Sequence, residues 1–408
     1  MREVYIISTG RILNGKTAGS HRILNLARSL AAGRITVFLC SFLEFNGEPA
    51  TMSEMQPGVF TLECKNHDIK QGGTIWQFLK AVNYYASRGS SEKIIYLYPT
   101  TLILKDFLYL LYFKYIKGFR FFCEINELRR AIAFSSQPPV QLGLKIKYYL
   151  KSIKDFILFS LNECQVSFYD GITVISTNLE NYFFRRTKKI LRVPILCDVE
   201  GNVDESITPS FDGKTFKICF AGYIKCDKEG FALLYEALSF VNTKRKVELY
   251  LYGILDEEDG IRLRQLAEKY ELRDNVFYLG NIEAEKLKYE FPKYHLLILP
   301  RPLNRRTKYG FSTKLSDYLI SGLPVLVTDV SDNALYIKDN FNGYLIRPGS
   351  STAISEKLIY IIDNYNGHVR EIVNNAHKTV REYFDLRLFT EVLTDFFFED
   401  KRERTRSV

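Results

Sequence analysis

The chain has 408 residues, 46% of them hydrophobic and 25% charged, with a formal net charge of +9. This globular composition and length favour two domains over a single core. No stretch approaches the run of about 20 apolar residues that a membrane span needs, and the N-terminus lacks the pattern of a signal peptide. The seven cysteines are scattered and form no C-x-x-C pair, which argues against disulfides or a zinc site and predicts a reducing, cytoplasmic location.

The positive charge is concentrated in the first half, where residues 1–200 contain 26 Lys and Arg against 16 Asp and Glu. This excess favours an acidic partner. Segment 144–160 spaces four lysines among apolar residues, at positions 145, 147, 151 and 154. One hypothesis is an amphipathic helix on an anionic membrane surface; the alternative is a core-facing helix with a lysine-coated outer side. Nucleic acid is not an expected partner, because no binding motif accompanies the charge.

Short apolar runs alternate with helical segments along the whole chain. In the first half, strands are predicted at 4–8, 34–40, 94–98, 119–125, 171–176 and 190–194, with helices at 18–32 and 76–87. After a polar stretch at 201–214, strands are predicted at 216–222, 246–253, 275–280, 295–300, 325–330 and 343–348. This alternation is typical of parallel sheets covered by helices.

The fold class expected from this alternation is α/β, with two doubly wound Rossmann-like domains facing each other across a cleft. The N-terminal domain would occupy residues 1–200 and the C-terminal domain residues 201–384. The aromatic-rich segment 385–400 would form a terminal helix that packs back toward the first domain, followed by a basic tail at 401–408.

Segment 310–327, GFSTKLSDYLISGLPVLV, predicts a loop, a helix over 314–320 and a buried strand. Ser312 or Thr313 would cap the helix, and Gly322 would end it. The N-terminus of a helix at the edge of a parallel sheet favours an anion.

Two further loops follow predicted strands. Lys225 and Lys228 come after the strand that ends at Gly222, where a lysine can reach a pyrophosphate. Gly19 lies in the segment TAGS at the start of the first helix, where close approach of a ligand and a tight structural turn are equally good interpretations. The segment does not match G-x-G-x-x-G, so no dinucleotide fingerprint is predicted.

Three segments carry a resemblance to a known family: FAGYIKCDKEGFALLYEAL, VFYLGNIEAEKL and LPRPLNRRTKYGFSTKLSDYLISGLPVLVTDV, with fainter support from TAGSHRILNLARSLA, GITVIS and VPILCDVEGN. They resemble the family-4 retaining glycosyltransferases of the two-domain GT-B fold. The resemblance implies a hexosyltransferase-type enzyme of cell-surface polysaccharide or glycolipid assembly.

The resemblance also implies roles for residues of the second half. Lys228 would bind the donor phosphates with help from Arg301, while Tyr223, beside Gly222, stands where many members have arginine. Gly280 and Ile282 would meet the base. The backbone amides of the loop before the helix at 314–320 would face the diphosphate and the donor sugar; they belong to Gly310, Phe311, Ser312, Thr313 and Lys314. Asp317 would hold the ribose hydroxyls where members commonly have Glu, and Tyr309 replaces a second Glu found in many members. We take Lys228, Lys314 and Asp317 as the catalytic candidates.

In the first domain, Glu124, Asn126 and Glu127 lie at or just after the end of the predicted strand at 119–125. They are candidates for contact with the acceptor or the donor sugar. The alternative is a helix-capping Asn flanked by solvated acids. The acidic run at 256–259 precedes a helix, where acids suit the dipole, so it does not predict a metal.

The expected reaction transfers a sugar from a nucleoside diphosphate to a saccharide or lipid-linked acceptor, without metal or cofactor. No general base for the acceptor is evident, and the resemblance implies that the departing phosphate takes the proton. Two alternatives remain: a sugar-nucleotide epimerase of the same fold, and a catalytically silent nucleotide-sugar-binding subunit, suggested by Tyr223 and Tyr309. The protein would be cytoplasmic, with a peripheral position at the inner face of the membrane as a further hypothesis.

Overall fold

We describe the protein from a computed structural model that covers residues 2–13, 18–45, 50–64, 74–88, 92–99, 103–134, 141–200 and 209–399. The chain divides into two compact units. One contains Met1–Leu196 and the chain from Leu386 onward, and the other is Cys197–Asp385. The divisions thus fall a few residues from the predicted domain limits, and the C-terminal segment belongs to the first unit.

The described part of the first unit is built on an eight-stranded sheet. Its strands are β1 (Arg2–Ser8), β2 (Thr36–Ser41), β3 (Ala50–Gln56), β4 (Val59–Cys64), β5 (Glu92–Tyr98), β6 (Arg120–Ile125), β7 (Gly171–Val174) and β8 (Ile190–Arg192). Its first helices are α1 (Ala18–Ala32), α2 (Ile75–Ala86), α3 (Ile103–Leu110), α4 (Leu142–Cys164) and α5 (Thr177–Phe183). The strand order is β3-β4-β2-β1-β5-β6-β7-β8.

The inner strands are apolar on both faces because helices cover both sides of a parallel sheet. Val4 and Ile6 of β1 and Val37 of β2 are fully buried, and they pack with Leu30 of α1 in one core. The burial of this core explains why these runs are recognisable as strands in the sequence.

The hairpin formed by β3 and β4 was not predicted. The two strands pair antiparallel at the edge of an otherwise parallel sheet, and Gly58 turns between them with a φ of 75°. Most of β3 is only partly buried, so its sequence lacks the apolar run of an inner strand.

The second unit has a six-stranded parallel sheet. Its strands are β9 (Phe216–Ala221), β10 (Val247–Tyr252), β11 (Val276–Tyr278), β12 (Leu296–Leu299), β13 (Val325–Thr328) and β14 (Tyr344–Ile346). Its helices are α6 (Cys226–Glu229), α7 (Phe231–Asn242), α8 (Glu257–Lys269), α9 (Ala284–Glu290), α10 (Arg305–Tyr309), α11 (Lys314–Leu319), α12 (Asn333–Tyr336) and α13 (Ser351–Tyr383). The strand order is β11-β10-β9-β12-β13-β14, so the connection direction reverses between β9 and β12. Such a reversal leaves a crevice at the carboxyl ends of the strands, where ligands bind in doubly wound sheets.

The last helix, α14 (Thr390–Phe398), completes the first unit. The Phe397 ring lies 5.3 Å from the Tyr96 ring and 5.1 Å from the Phe122 ring, so the aromatic residues of this helix fill the core beneath the sheet. Within the described helices, none is both long and apolar enough to cross a membrane.

Candidate functional site

The loops after β9 and β12 meet at the strand-order reversal of the second unit. Gly230 follows α6 with a φ of 76°, and a Cβ there would lie 2.1 Å from the carbonyl oxygen of Pro300. Only glycine therefore fits where the two loops touch. Gly222 follows β9 with a φ of 144°, and a Cβ there would lie 2.0 Å from Cε of Lys314. The missing side chain leaves the room that Lys314 occupies.

A buried carboxylate collects cations at this point. Glu229 is 1% exposed. Arg301 donates to it with two N–H groups, Nε to Oε2 and Nη2 to Oε1, each at 3.0 Å. Nζ of Lys314 donates to the same Oε1 at 3.0 Å. Lys228, one residue before Glu229, is half-buried and adds its positive charge to the field at the carboxylate.

The cluster contains more positive than negative side chains. Burial opposes ionisation of Glu229, but Arg301 and Lys314 outweigh it and hold the pKa of the carboxyl well below its usual range. Burial lowers the pKa of Lys314, and Glu229 opposes this only in part. The carboxylate of Glu229 thus accepts from two cationic side chains, Arg301 and Lys314, so an anion at this place would meet net positive charge.

The loop before α11 differs from the expected helix start. Thr313 precedes α11, but neither it nor Ser312 caps the helix through its side chain, which corrects the prediction of a cap. Ser312 is 2% exposed, and among the described residues its hydroxyl has no hydrogen-bond partner. Phe311 is buried and packs 5.4 Å from Tyr336, which fixes the loop. Gly310 ends α10, where its N–H donates to the carbonyl of Arg306.

The other predicted donor residues lie on α11 and in the loops after β9 and β11. Asp317 lies in the first turn of α11, where desolvation raises the pKa of its carboxyl to about 7 and the charge of Lys314 opposes that rise. Tyr223 is 49% exposed. Gly280 accepts a hydrogen bond from the N–H of Gly253 at 2.8 Å, which ties the loop after β11 to the loop after β10, and Ile282 is half-buried beyond it.

Two residues of the β9 loop correct the sequence interpretation. Lys225, which could have reached a pyrophosphate, is instead paired with Asp256 and with Asp259, the latter at 2.8 Å. Glu229 was not a candidate at all. Its signal in the sequence is an acid directly between Lys228 and Gly230, but its partner Arg301 is 72 residues away.

The first-unit candidates belong to a different network. Glu124 is 1% exposed and accepts from Nε of Arg22 at 2.6 Å, from the Tyr96 hydroxyl and from Oγ1 of Thr173 at 3.1 Å. Arg22 also donates to the carbonyls of Val193 and Pro194. Glu124 is therefore not the solvated acid of the alternative interpretation.

Asn126 and Glu127 lie beyond the end of β6 and are both half-buried. Nδ2 of Asn126 donates to the Tyr98 hydroxyl at 2.9 Å. Gly19, in the first turn of α1, faces the same tyrosine, and a Cβ there would lie 3.1 Å from its hydroxyl. Burial and then Glu124 raise the pKa of Tyr98 to about 12. Tyr98 thus lies between Gly19 of α1 and Asn126 after β6, and it brings these two candidates into one place.

Across the described ranges, no three His, Cys, Asp or Glu side chains are grouped as metal ligands would be. The expectation of a metal-free site stays a prediction.

Residues 205–379 match the family described as Glycosyl transferases group 1. No curated protein matches the sequence. The matched segment contains both the loop with Glu229 and the segment from Arg301 to Asp317.

Solved structures resemble the whole chain. Sucrose-phosphate synthase from Thermosynechococcus elongatus has a TM-score of 0.69 at 14% identity, covering 97% of this chain and 98% of its own. A mutant of S. aureus TarM, in complex with Fondaparinux, alpha-GlcNAc-glycerol and UDP, has a TM-score of 0.66 at 12% identity, covering 98% and 100%. Anabaena Alr3699/HepE, in complex with UDP and glucose, has a TM-score of 0.63 at 13% identity, covering 97% and 98%.

At these identities the likeness concerns the fold, and it confirms the predicted α/β class with two Rossmann-like domains of the GT-B type. Together with the family match, it supports a glycosyltransferase of the GT-B fold.

Proposed function

We propose that the protein is a retaining glycosyltransferase that moves a sugar from a nucleoside diphosphate sugar to an acceptor hydroxyl. The observation that carries this proposal is the placement of Arg301 and Lys314 on Glu229, with Lys228 beside them, at the strand-order reversal. The family match over 205–379 and the UDP and glucose in a protein of similar fold support it.

The cluster suits the departure of a diphosphate. As the bond to the anomeric carbon breaks, negative charge grows on the leaving oxygen, and cations already in place stabilise it without reorganisation. Glu229 holds Arg301 and Lys314 in position before the donor arrives. In this proposal the departing phosphate takes the proton of the acceptor hydroxyl.

The remaining donor contacts follow from the resemblance. Asp317 would bind the ribose hydroxyls, the loop from Gly280 to Ile282 the base, and the amides of 310–314 the diphosphate and sugar, with no metal or cofactor. The buried hydroxyl of Ser312, which has no hydrogen-bond partner among the described residues, would be a further donor in that loop.

On the acceptor side, we keep Asn126 and Glu127 as contact residues. Glu124 receives a positioning role, since its carboxylate is enclosed by Arg22, Tyr96 and Thr173.

We further propose a saccharide or lipid-linked acceptor in polysaccharide or glycolipid assembly, and a cytoplasmic location. Six cysteines in the described part of the chain are free thiols, and five of these are buried, while Cys164 is exposed. Unpaired thiols persist in a reducing compartment.

The first test is a thermal-shift panel of UDP, GDP, ADP, TDP and CMP with the wild type and Lys228→Ala. A ligand at one hundred times its Kd stabilises the native state by about 2.7 kcal/mol. We expect a shift with one diphosphate that the variant loses. No shift with any of the five would contradict the donor site.

The second test adds the matching nucleotide sugar and follows the anomeric proton by NMR during slow donor hydrolysis or transfer. Release of a sugar that first appears with the donor's anomeric configuration is the expected result. Inversion would refute the retaining mechanism, and binding without turnover would favour the silent subunit.

A further inference from the structure

The outer side of α4 is apolar and faces solvent. Six of its side chains are between 50% and 73% exposed: Leu142, Ile146, Leu150, Ile153, Ile157 and Leu161. They follow each other at spacings of three or four residues, so they form one stripe along the helix. Over the same helix, the buried residues are Ser152 and Glu163. The fully buried side chains of the helix are therefore polar, while a continuous apolar stripe faces outward, which is unusual for a surface helix.

Lysines border this stripe. Lys147, Lys151 and Lys154 follow the same helical spacing, one residue after Ile146, Leu150 and Ile153, and all three are exposed. Within the described ranges, none of them is in an ion pair with a carboxylate. A row of cations beside an apolar stripe on one helix is the arrangement of helices that lie in the interface of anionic membranes.

Neighbouring residues enlarge the apolar surface. The Phe134 ring, 47% exposed, lies 6.0 Å from the ring of Phe156 on α4. The helix α3 packs against α4 and continues as a π-helix over Leu111–Ile116. It has its own exposed set of Leu104, Phe107, Leu111, Tyr115 and Ile116, between 40% and 74% exposed. Exposed apolar surface of this kind marks a protein or membrane interaction site, so we expect this surface to have a partner.

We propose that α4, with α3 beside it, is a docking surface for an anionic phospholipid bilayer. The apolar stripe would enter the acyl boundary while Lys147, Lys151 and Lys154 contact lipid phosphates. The surplus of Lys and Arg over residues 1–200, 26 against 16 Asp and Glu, acts in the same direction. The proposal concerns where the protein works and does not depend on sugar transfer.

The test is sedimentation of the full chain with vesicles of phosphatidylcholine alone and with phosphatidylglycerol added, at low and physiological salt. We expect binding to the anionic vesicles that weakens with salt. Lys147→Glu, Lys151→Glu and Lys154→Glu together should lower the partition coefficient at least about tenfold. The matched control is Lys244→Glu, Lys269→Glu and Lys288→Glu, which changes the net charge equally at exposed lysines of the second unit and should retain binding.

The apolar contribution is tested with Leu150→Gln, Ile153→Gln and Ile157→Gln, which keep helix propensity. We expect a comparable loss, whereas Ile261→Gln, Leu303→Gln and Leu335→Gln, at exposed sites of the second unit, should bind as the wild type does. Equal loss in the variants and their controls, or no sedimentation at low salt, would overturn the proposal. Sedimentation velocity that shows a dimer lost in the α4 variants would assign the surface to a second copy of the chain instead.

Discussion

Each unit buries a glutamate against an arginine near the carboxyl end of its sheet, but the charge around the two glutamates differs. Among the described residues, Glu124 has a single cationic partner, Arg22, whose other N–H groups are taken by backbone carbonyls. Glu229 has Arg301 and Lys314 on its oxygens, and Lys228 acts on it as well. The buried pair of Glu124 and Arg22 is therefore part of a neutral structural network. The buried pair of Glu229 and Arg301 has an additional cation, Lys314, and is therefore part of a positively charged site.

Burial of a carboxylate does not by itself mark a binding site. An ion pair with equal positive and negative charge does not attract an anion. A carboxylate bound by more than one cation leaves a net positive charge that can bind one. The four predictions below test the two cases.

The largest effect is expected from Arg22→Ala. It leaves Glu124 buried without its cation, which costs about 3–5 kcal/mol of unfolding free energy. Urea denaturation followed by circular dichroism would show a lower midpoint. Arg22→Met with Glu124→Leu removes both charges and should recover most of the loss. An unchanged midpoint in Arg22→Ala would show that the network is not structural.

Lys314→Ala should have a smaller and different effect. Arg301 still binds both oxygens of Glu229, so the urea midpoint should change little. The affinity for the nucleoside diphosphate, measured by calorimetry, should fall about 10- to 100-fold with the loss of a charged hydrogen bond. Lys225→Ala is the control, because Asp256 and Asp259 already occupy that lysine; an equal loss there would argue against a specific site.

Acid should weaken the second unit through Glu229. Its pKa is depressed in the folded state, so its contribution to stability is full above the unfolded value of about 4.3 and is lost as the pH falls toward the folded pKa. We expect the wild type to lose more than about 1.4 kcal/mol relative to Glu229→Gln over this acid range, an amount that corresponds to a tenfold change in the acid dissociation constant of one carboxyl. Parallel curves of unfolding free energy against pH for the two proteins would contradict the assignment.

The smallest effect is expected from Gly222→Ala. The new Cβ would meet the flexible end of Lys314, which can move aside, so diphosphate affinity should fall about three- to tenfold while the positive φ adds about 1 kcal/mol of strain. Gly349→Ala also has a positive φ, at 80°, but nothing within 4 Å of its Cβ. It should show the strain without the loss of affinity. Equal affinities in both variants would mean that the position of Lys314 is unimportant.

Much of the fold was predictable from local pattern. The inner strands β1, β5, β9 and β13 are continuous apolar runs, and turn residues mark their ends. The edge strand β3 was not predictable in this way, because a half-exposed edge strand has neither a continuous apolar run nor a clear alternation. The helix α4 was located by its lysines, but the two interpretations of its apolar side could not be separated without knowing which side the protein covers.

Some residues of the candidate site could likewise be predicted from the sequence, and others could not. Lys228 could be named from its loop after a strand of a parallel sheet, because such loops gather at one edge, and Arg301 and Lys314 could be named from the family resemblance. Glu229 and the partners of Glu124 could not, since their contacts join residues 72 and 102 positions apart. Local pattern was enough to place most strands and helices and the loops that carry charge, because these depend on neighbours along the chain. Which carboxylate is neutralised and which is outnumbered could be learned only from the folded molecule, because the balance of charge depends on side chains that folding brings together.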